Sequence, residues 1–402
     1  MSTLTDLSKT IHGRVTRAWR TGMASAISPA ATPVTSPAAP APLRARAGRA
    51  RLGILRYTGD LDSGGWRRGL QIALGLVWLL DAALQYQPYM FSRGFVTQVL
   101  ESAADGNPAI VLTPAMWADR LITHDVAAWN AGFATIQLAI AVGLLWRPTV
   151  RAALAGSIVW SLAVWWLSEG MGDVLTGTAS PVTGAPGAVI LYALIAVLVW
   201  PGRSAEPGWG GIAAASPLGA RESRAAWVVL WGSFAYLILQ PAIRAPRGLH
   251  DAIAGNAAGE PAWLAALDRH TAAAIGTHGL AVSIVLAAVF VAVAVGILFP
   301  ATARPALVLA AVVNLAIWVA GENFGGIFTG QGTDPNSGPL LVLLAAAYWP
   351  LRASAGASAF RPPGRMGKTV GGRAQPEAPR RRRAAGSLSS YQARTASGEG
   401  PG

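Results

Sequence analysis

Glu169-Gly-Met-Gly172-Asp-Val-Leu-Thr176-Gly177 follows a long apolar run, and Glu322-Asn-Phe-Gly325-Gly-Ile-Phe-Thr329-Gly330 follows another one 153 positions later. At the same offset Trp165 meets Trp318, Ala141-Val142-Gly143 meets Ala294-Val295-Gly296, and Gly106 and Pro108 meet Gly259 and Pro261. Upstream, Gln87-Pro88 meets Gln240-Pro241 and Trp78 meets Trp231; downstream, Pro186 meets Pro339. Matches held at one offset over more than 100 residues are the signature of an internal repeat. The chain therefore reads as one unit copied head to tail.

Composition says what kind of unit. Of 402 residues 52% are apolar and 13% charged, and the mean hydropathy is +0.41, more apolar surface than a water-soluble domain can cover. The absence of Cys excludes disulfides, thiolate metal sites, iron–sulfur clusters and covalently attached haem. The net charge of +13 is unevenly placed: residues 1–60 carry +7, residues 352–402 carry +8, and everything between carries −2. The basic excess thus belongs to the tails, where it suits the anionic lipid of a cytoplasmic leaflet and is no argument for nucleic acid. Both tails are rich in Pro, Ala, Ser, Gly and Arg and poor in large apolar residues, a composition expected to stay disordered.

Apolar runs recur about four times per copy. They are Gly69 to Tyr86, Ala127 to Trp146, Val150 to Leu167 and Ala188 to Trp200, then Ala225 to Ala242, Ile275 to Phe299, Ala306 to Ala320 and Leu340 to Trp349. The expected fold is an all-α membrane protein of about eight transmembrane helices in two parallel four-helix repeats. Its expected organisation is a basic tail at 1–60, repeat one at 61–202, a cytoplasmic linker at 203–224, repeat two at 225–351 and a second basic tail at 352–402. Arg67-Arg68, Arg147, Arg151, Arg221, Arg224, Arg304 and both tails fall on one side if every run crosses, which makes that side and both termini cytoplasmic. The expected location is the plasma membrane of a bacterium, with the segments Gln87 to Val126 and Gln240 to Thr277 outside.

The stretch Gln137-Leu-Ala-Ile-Ala-Val-Gly-Leu-Leu-Trp146-Arg147-Pro-Thr-Val-Arg151-Ala-Ala-Leu, followed by an apolar helix, a Gly-rich loop and a short last helix, resembles the four-helix DoxX/DoxD-like membrane family. The likeness covers the second to fourth helices of the first copy and, more loosely, those of the second. It implies an accessory subunit of a membrane redox system. Where that family often has Glu in the second helix, this chain has Gln137 and Phe290.

Candidate site residues fall into two sets. On the outer face, Glu169 and Glu322 each follow an apolar helix and precede small residues and a threonine, Thr176 or Thr329. Such a carboxylate either binds a cation or polar headgroup or accepts hydrogen bonds from free N–H groups of its own loop and ties it down. His124 and His278, each at the start of a second helix, can join the glutamates in a divalent metal site or proton relay, or serve as interfacial polar groups. Within the spans, Asp81 has Phe234 as its counterpart, so its role is confined to one copy. Asn130, Gln137 and Asn314 either bond helices together or line a polar path. No Walker, Rossmann, nucleophile-elbow or zinc-protease motif occurs, no cofactor is indicated and an enzyme is not expected. Three classes stay open: a redox accessory subunit, a small-molecule or ion permease with its site between the copies, and a non-catalytic scaffold.

Overall fold

The computed structural model describes residues 63–101, 105–202 and 210–351. The tails expected to be disordered, and residues 203–209 of the linker, lie outside the described residues. Among the described residues the chain is helical with no strand. The first half contains α1 (Ser63–Gln85), α2 (Ala109–His124), α3 (Val126–Leu145), α4 (Val150–Leu167) and α5 (Ala188–Leu198). The second contains α6 (Gly219–Ile238), α7 (Gly248–Asn256), α8 (Ala262–Ile275), α9 (Gly279–Gly296), α10 (Pro300–Ala320) and α11 (Ser337–Ala347).

Four segments are long and apolar enough to cross a membrane: Val126–Leu145, Arg147–Leu167, Gly279–Gly296 and Pro300–Ala320. At 1.5 Å per residue, 20 residues reach about 30 Å, the thickness of a hydrocarbon core. Their outer faces carry exposed Val142, Val159, Leu162, Ile284, Val285 and Val312. A belt of that kind has no place in water but is what a helix presents to lipid.

α1 packs along α3 and α4 along α5; in the second half α6 packs along α9 and α10 along α11. α5 and α11 meet, and one continuous core runs from Trp78 and Leu144 through Tyr192 and Ile195 to Leu344, Trp231 and Phe290. With 11 residues each, these two helices are only about 16 Å long, roughly half the usual span. The apolar runs that start them are thus central pieces buried against protein rather than lipid-facing rods.

The same local devices recur in both halves. Thr149 donates its hydroxyl to the Gly143 carbonyl at 2.8 Å, and Thr302 donates to Gly296 at 2.7 Å, each closing the turn between two long helices. A Cβ on Gly143 would sit 2.8 Å from the Ala153 Cβ, and one on Gly296 would sit 2.6 Å from the Ala306 Cβ, so only glycine lets these helices approach so closely. At one end of the bundle Arg68 donates to the Leu144 and Leu145 carbonyls at 2.8 and 2.6 Å, Arg67 to the Trp200 carbonyl at 2.9 Å, and the Trp66 indole to the Ala346 carbonyl at 3.0 Å. The first turn of α1 thereby serves orphan carbonyls at or just beyond the C-terminal ends of α3, α5 and α11, where positive charge is favoured.

Three sequence expectations need correction. His124 is the last residue of α2, not the start of a span; Asp125 starts α3, its Oδ1 accepting from the Ala128 N–H at 3.0 Å. α6 begins at Gly219, inside the stretch read as linker, and in the short helix Gly211–Ala214 before it Gly211, Ile212 and Ala213 are buried. The partner of Pro186 is Pro335, not Pro339: the Trp165 indole donates to the Pro186 carbonyl at 2.6 Å, and the Trp318 indole to the Pro335 carbonyl at 2.7 Å. The second loop is four residues shorter, so the offset changes from 153 to 149 before the last helix.

Candidate functional site

Each glutamate stands just past a long helix and beside the N-terminus of a short one. The backbone path is the same in both halves. Glu169 N–H and Glu322 N–H each donate at 3.0 Å to a carbonyl five residues back. Met171 and Gly172, like Phe324 and Gly325, then adopt left-handed conformations that reverse the chain. Gly172 and Gly325 are constrained twice, because a Cβ would also collide with the backbone at Pro186 or at Pro335. The threonines lock the turn: Thr176 donates to the Asp173 carbonyl at 2.9 Å and Thr329 to the Gly326 carbonyl at 2.7 Å. Their hydroxyls also accept from the Thr178 and Gln331 N–H groups. Both threonines are therefore structural.

The carboxylates themselves differ. Glu322 accepts from the N–H groups of Ser337 and Gly338 at 3.1 and 3.2 Å and from the Ser337 hydroxyl, which caps the start of α11. Burial pushes its pKa up to about 7 despite those bonds. Glu169 faces the equivalent residues Ala188 and Val189. It keeps the Val189 N–H but has no hydroxyl to meet, and its Oε2 has no hydrogen-bond partner. Burial first, and the Asp334 carboxylate second, hold Glu169 well above the ordinary range.

Glu169 lines a cavity of ≈ 330 Å³ built mostly from the first half. Its acids are Asp81 of α1, Glu169, and Asp334, which arrives from the loop of the second half; Gln137 of α3 adds an amide. Its walls are aromatic: Trp78, Trp117, Trp129, Phe133 and Trp160, with ring centroids of Trp129–Phe133 and Phe133–Trp160 at 6.1 and 5.6 Å. No basic residue lines it among the described residues. Asp81 is 2% exposed and its Oδ1 has no partner; the Gln137 Oε1 has none either. The Tyr192 hydroxyl stands beside Asp81 without completing a hydrogen bond. Asp334 is anchored by the Asn336 N–H at 2.7 Å and the Thr333 hydroxyl at 2.9 Å, while burial raises its pKa.

The remaining candidates separate from this site. Asn130 bonds α3 to α1, donating to the Gln85 carbonyl at 2.9 Å and accepting from the Gln85 amide at 2.5 Å. Asn314 donates to the Ala310 carbonyl of its own helix at 2.8 Å. His124 lies exposed in a different cleft with Asp119, whose carboxyl burial and Glu101 push up to about 6. His278 is exposed at the start of α9 and lines neither space near Glu169. Among the described residues no three His, Asp or Glu side chains converge as a metal site.

Asp334 and Tyr192 escaped the sequence reading. Asp334 was findable: placing the four-residue gap pairs Asp334-Pro335 with Ala185-Pro186 and exposes a charge facing an alanine. Tyr192 sits in an apolar run where nothing marks it as other than core. No family model, curated protein or solved structure matches this chain.

Proposed function

We propose that the chain is an integral membrane protein that binds a lipophilic organic cation in the cavity of its first half, in the manner of a permease. The reading rests on one observation: three carboxyls, one buried and two half-buried, and six aromatic rings surround the same ≈ 330 Å³ space, and among the described residues no basic side chain offsets them there. Carboxylates withdrawn from water favour an entering positive charge, and aromatic faces add cation–π attraction while covering apolar substituents. The volume fits a compact ligand.

In this reading the two halves are parallel copies of an ancestral four-helix unit, giving eight crossings with both termini in the cytoplasm of a bacterium. The similar order and spacing of the helices, the paired threonine turns and the paired indole bonds support it, as does the Arg67–Arg68 clasp at the end assigned to the cytoplasm. The short helices α5 and α11 would leave the loops before them at membrane depth, which irregular backbone tolerates where protein covers it.

Tetraphenylphosphonium tests the site and neutral triphenylphosphine oxide is its control. The cation should quench the cavity tryptophans saturably, the neutral compound should bind at least about tenfold more weakly, and Asp81→Asn should erase that preference. Equal binding of both compounds overturns the reading. Reporter fusions at the C-terminus and in segment 240–277 check sidedness; an external C-terminus contradicts it.

A further inference from the structure

Glu169 and Asp334 stand where two spaces meet. The aromatic cavity and a second, more open cleft of ≈ 290 Å³ share Glu169, Asp334, Ser168 and Thr333 in their walls. On the cleft side lie Asp173, Ser180, Thr183 and Asn336. A group of acids alone would name no ligand, but here Asp81, 2% exposed and lining the cavity, has an Oδ1 without a hydrogen-bond partner, and Glu169 beside it has an Oε2 without one. The pair thus stands where an aromatic chamber adjoins a polar, more open cleft.

The groups facing the pair come from every element around it. Asp81 comes from α1, Gln137 from α3, Asp173 from the loop of Glu169, Tyr192 from α5, and Glu322 from the loop after α10. All are acidic or neutral, and no Lys, Arg or His lines either space among the described residues. Several like charges cannot all ionise in so confined a volume. Burial and the Asp334 charge raise Glu169, and burial raises Asp334, so each holds a proton more tightly than a free carboxyl does.

Resting on the cation-binding reading, we propose that Glu169 and Asp334 hold a shared proton when the cavity is empty and release it to the cleft when a cation enters, making the protein a proton–cation exchanger. The balance is one for one. A carboxyl O–H breaks, the proton leaves to cleft water, the carboxylate remains beside the incoming cation, and the charge within the cavity is unchanged. No electron moves and no co-reactant is needed.

The test is calorimetric binding of tetraphenylphosphonium, which carries no proton of its own, to the full chain in detergent. Titrations at pH 6.5 in two buffers of different ionisation enthalpy give the protons released per cation. About one is expected, with apparent affinity rising up to about tenfold per pH unit below the titration of the pair. Glu169→Gln and Asp334→Asn should each cut the release to less than half, in samples whose thermal unfolding remains cooperative. Binding by the unaltered protein without proton release overturns the exchange but leaves the cation site standing, as does undiminished release in both variants. No binding at all overturns both.

Discussion

The two halves share a backbone plan and differ in what fills it. Where the first half places Asp81 and Gln137, the second places Phe234 and Phe290, which stack with Trp231 at centroid distances of 5.2 to 5.8 Å. Where the first half receives Asp334 from its neighbour, the second receives Ala185, packed on Leu237. Where Glu322 is capped by Ser337, Glu169 faces Ala188 and keeps a free oxygen. Each difference points the same way: the place that is acidic and hollow in the first half is filled by aromatic and aliphatic side chains in the second. Unsatisfied polar atoms and empty volume both cost stability, a cost that the proposed cation binding would offset.

The comparison can be broken most directly by erasing it. Asp81→Phe with Gln137→Phe copies the second half's filling into the first. Tetraphenylphosphonium affinity should fall by at least about 100-fold while thermal stability holds or rises, since an apolar filling replaces buried polar atoms. Retained binding would show that the cavity is not the site. The next largest effect concerns a feature the halves share. Gly143→Ala and Gly296→Ala should each destabilise by about 1–3 kcal/mol in detergent unfolding, because the added methyl meets a neighbouring Cβ well inside contact distance.

Ser337→Ala should cost about 1–2 kcal/mol and leave Glu322 resembling Glu169, whereas Ala188→Ser, which caps Glu169, should stabilise and weaken cation binding. The same contrast carries a pH signature. Glu322 is raised from an ordinary 4.5 to about 7, so the folded state holds its proton where the unfolded chain has lost it. Stability from this group is full below pH 4.5, declines as pH rises towards 7 and is flat above. Melting curves from pH 5 to 8 should show that decline in the unaltered protein and a shallower one in Glu322→Gln. Smallest of all, Asn130→Ala should cost about 0.6 kcal/mol, the usual worth of one interhelical side-chain bond in a membrane.

Much of the fold is legible in the sequence. The uninterrupted apolar runs behind α3, α4, α9 and α10 need no tertiary context to read as long helices. Asp81 was singled out because a carboxylate inside such a run facing Phe234 is conspicuous. The turn glycines and threonines were legible as a motif, although residue type alone could not say that Glu322 is consumed by a helix start while Glu169 is not; that depended on Ser337 against Ala188. His124 misled because a His before an apolar run looks like a helix start, whereas Asp125 is the capping residue; His278 does stand at the start of α9. The cavity walls were beyond reach, since Trp117, Trp129 and Trp160 lie on three different helices and only packing brings them together.

The crossing of the loops has a consequence for how such a gene can change. Because Asp334 is supplied by the second half to the chamber of the first, neither half is a free-standing module. Splitting the chain at residues 203–209 and expressing the pieces separately should yield a first piece that inserts yet lacks a wall, with competence returning only on co-expression. Each half is thereby hostage to the other.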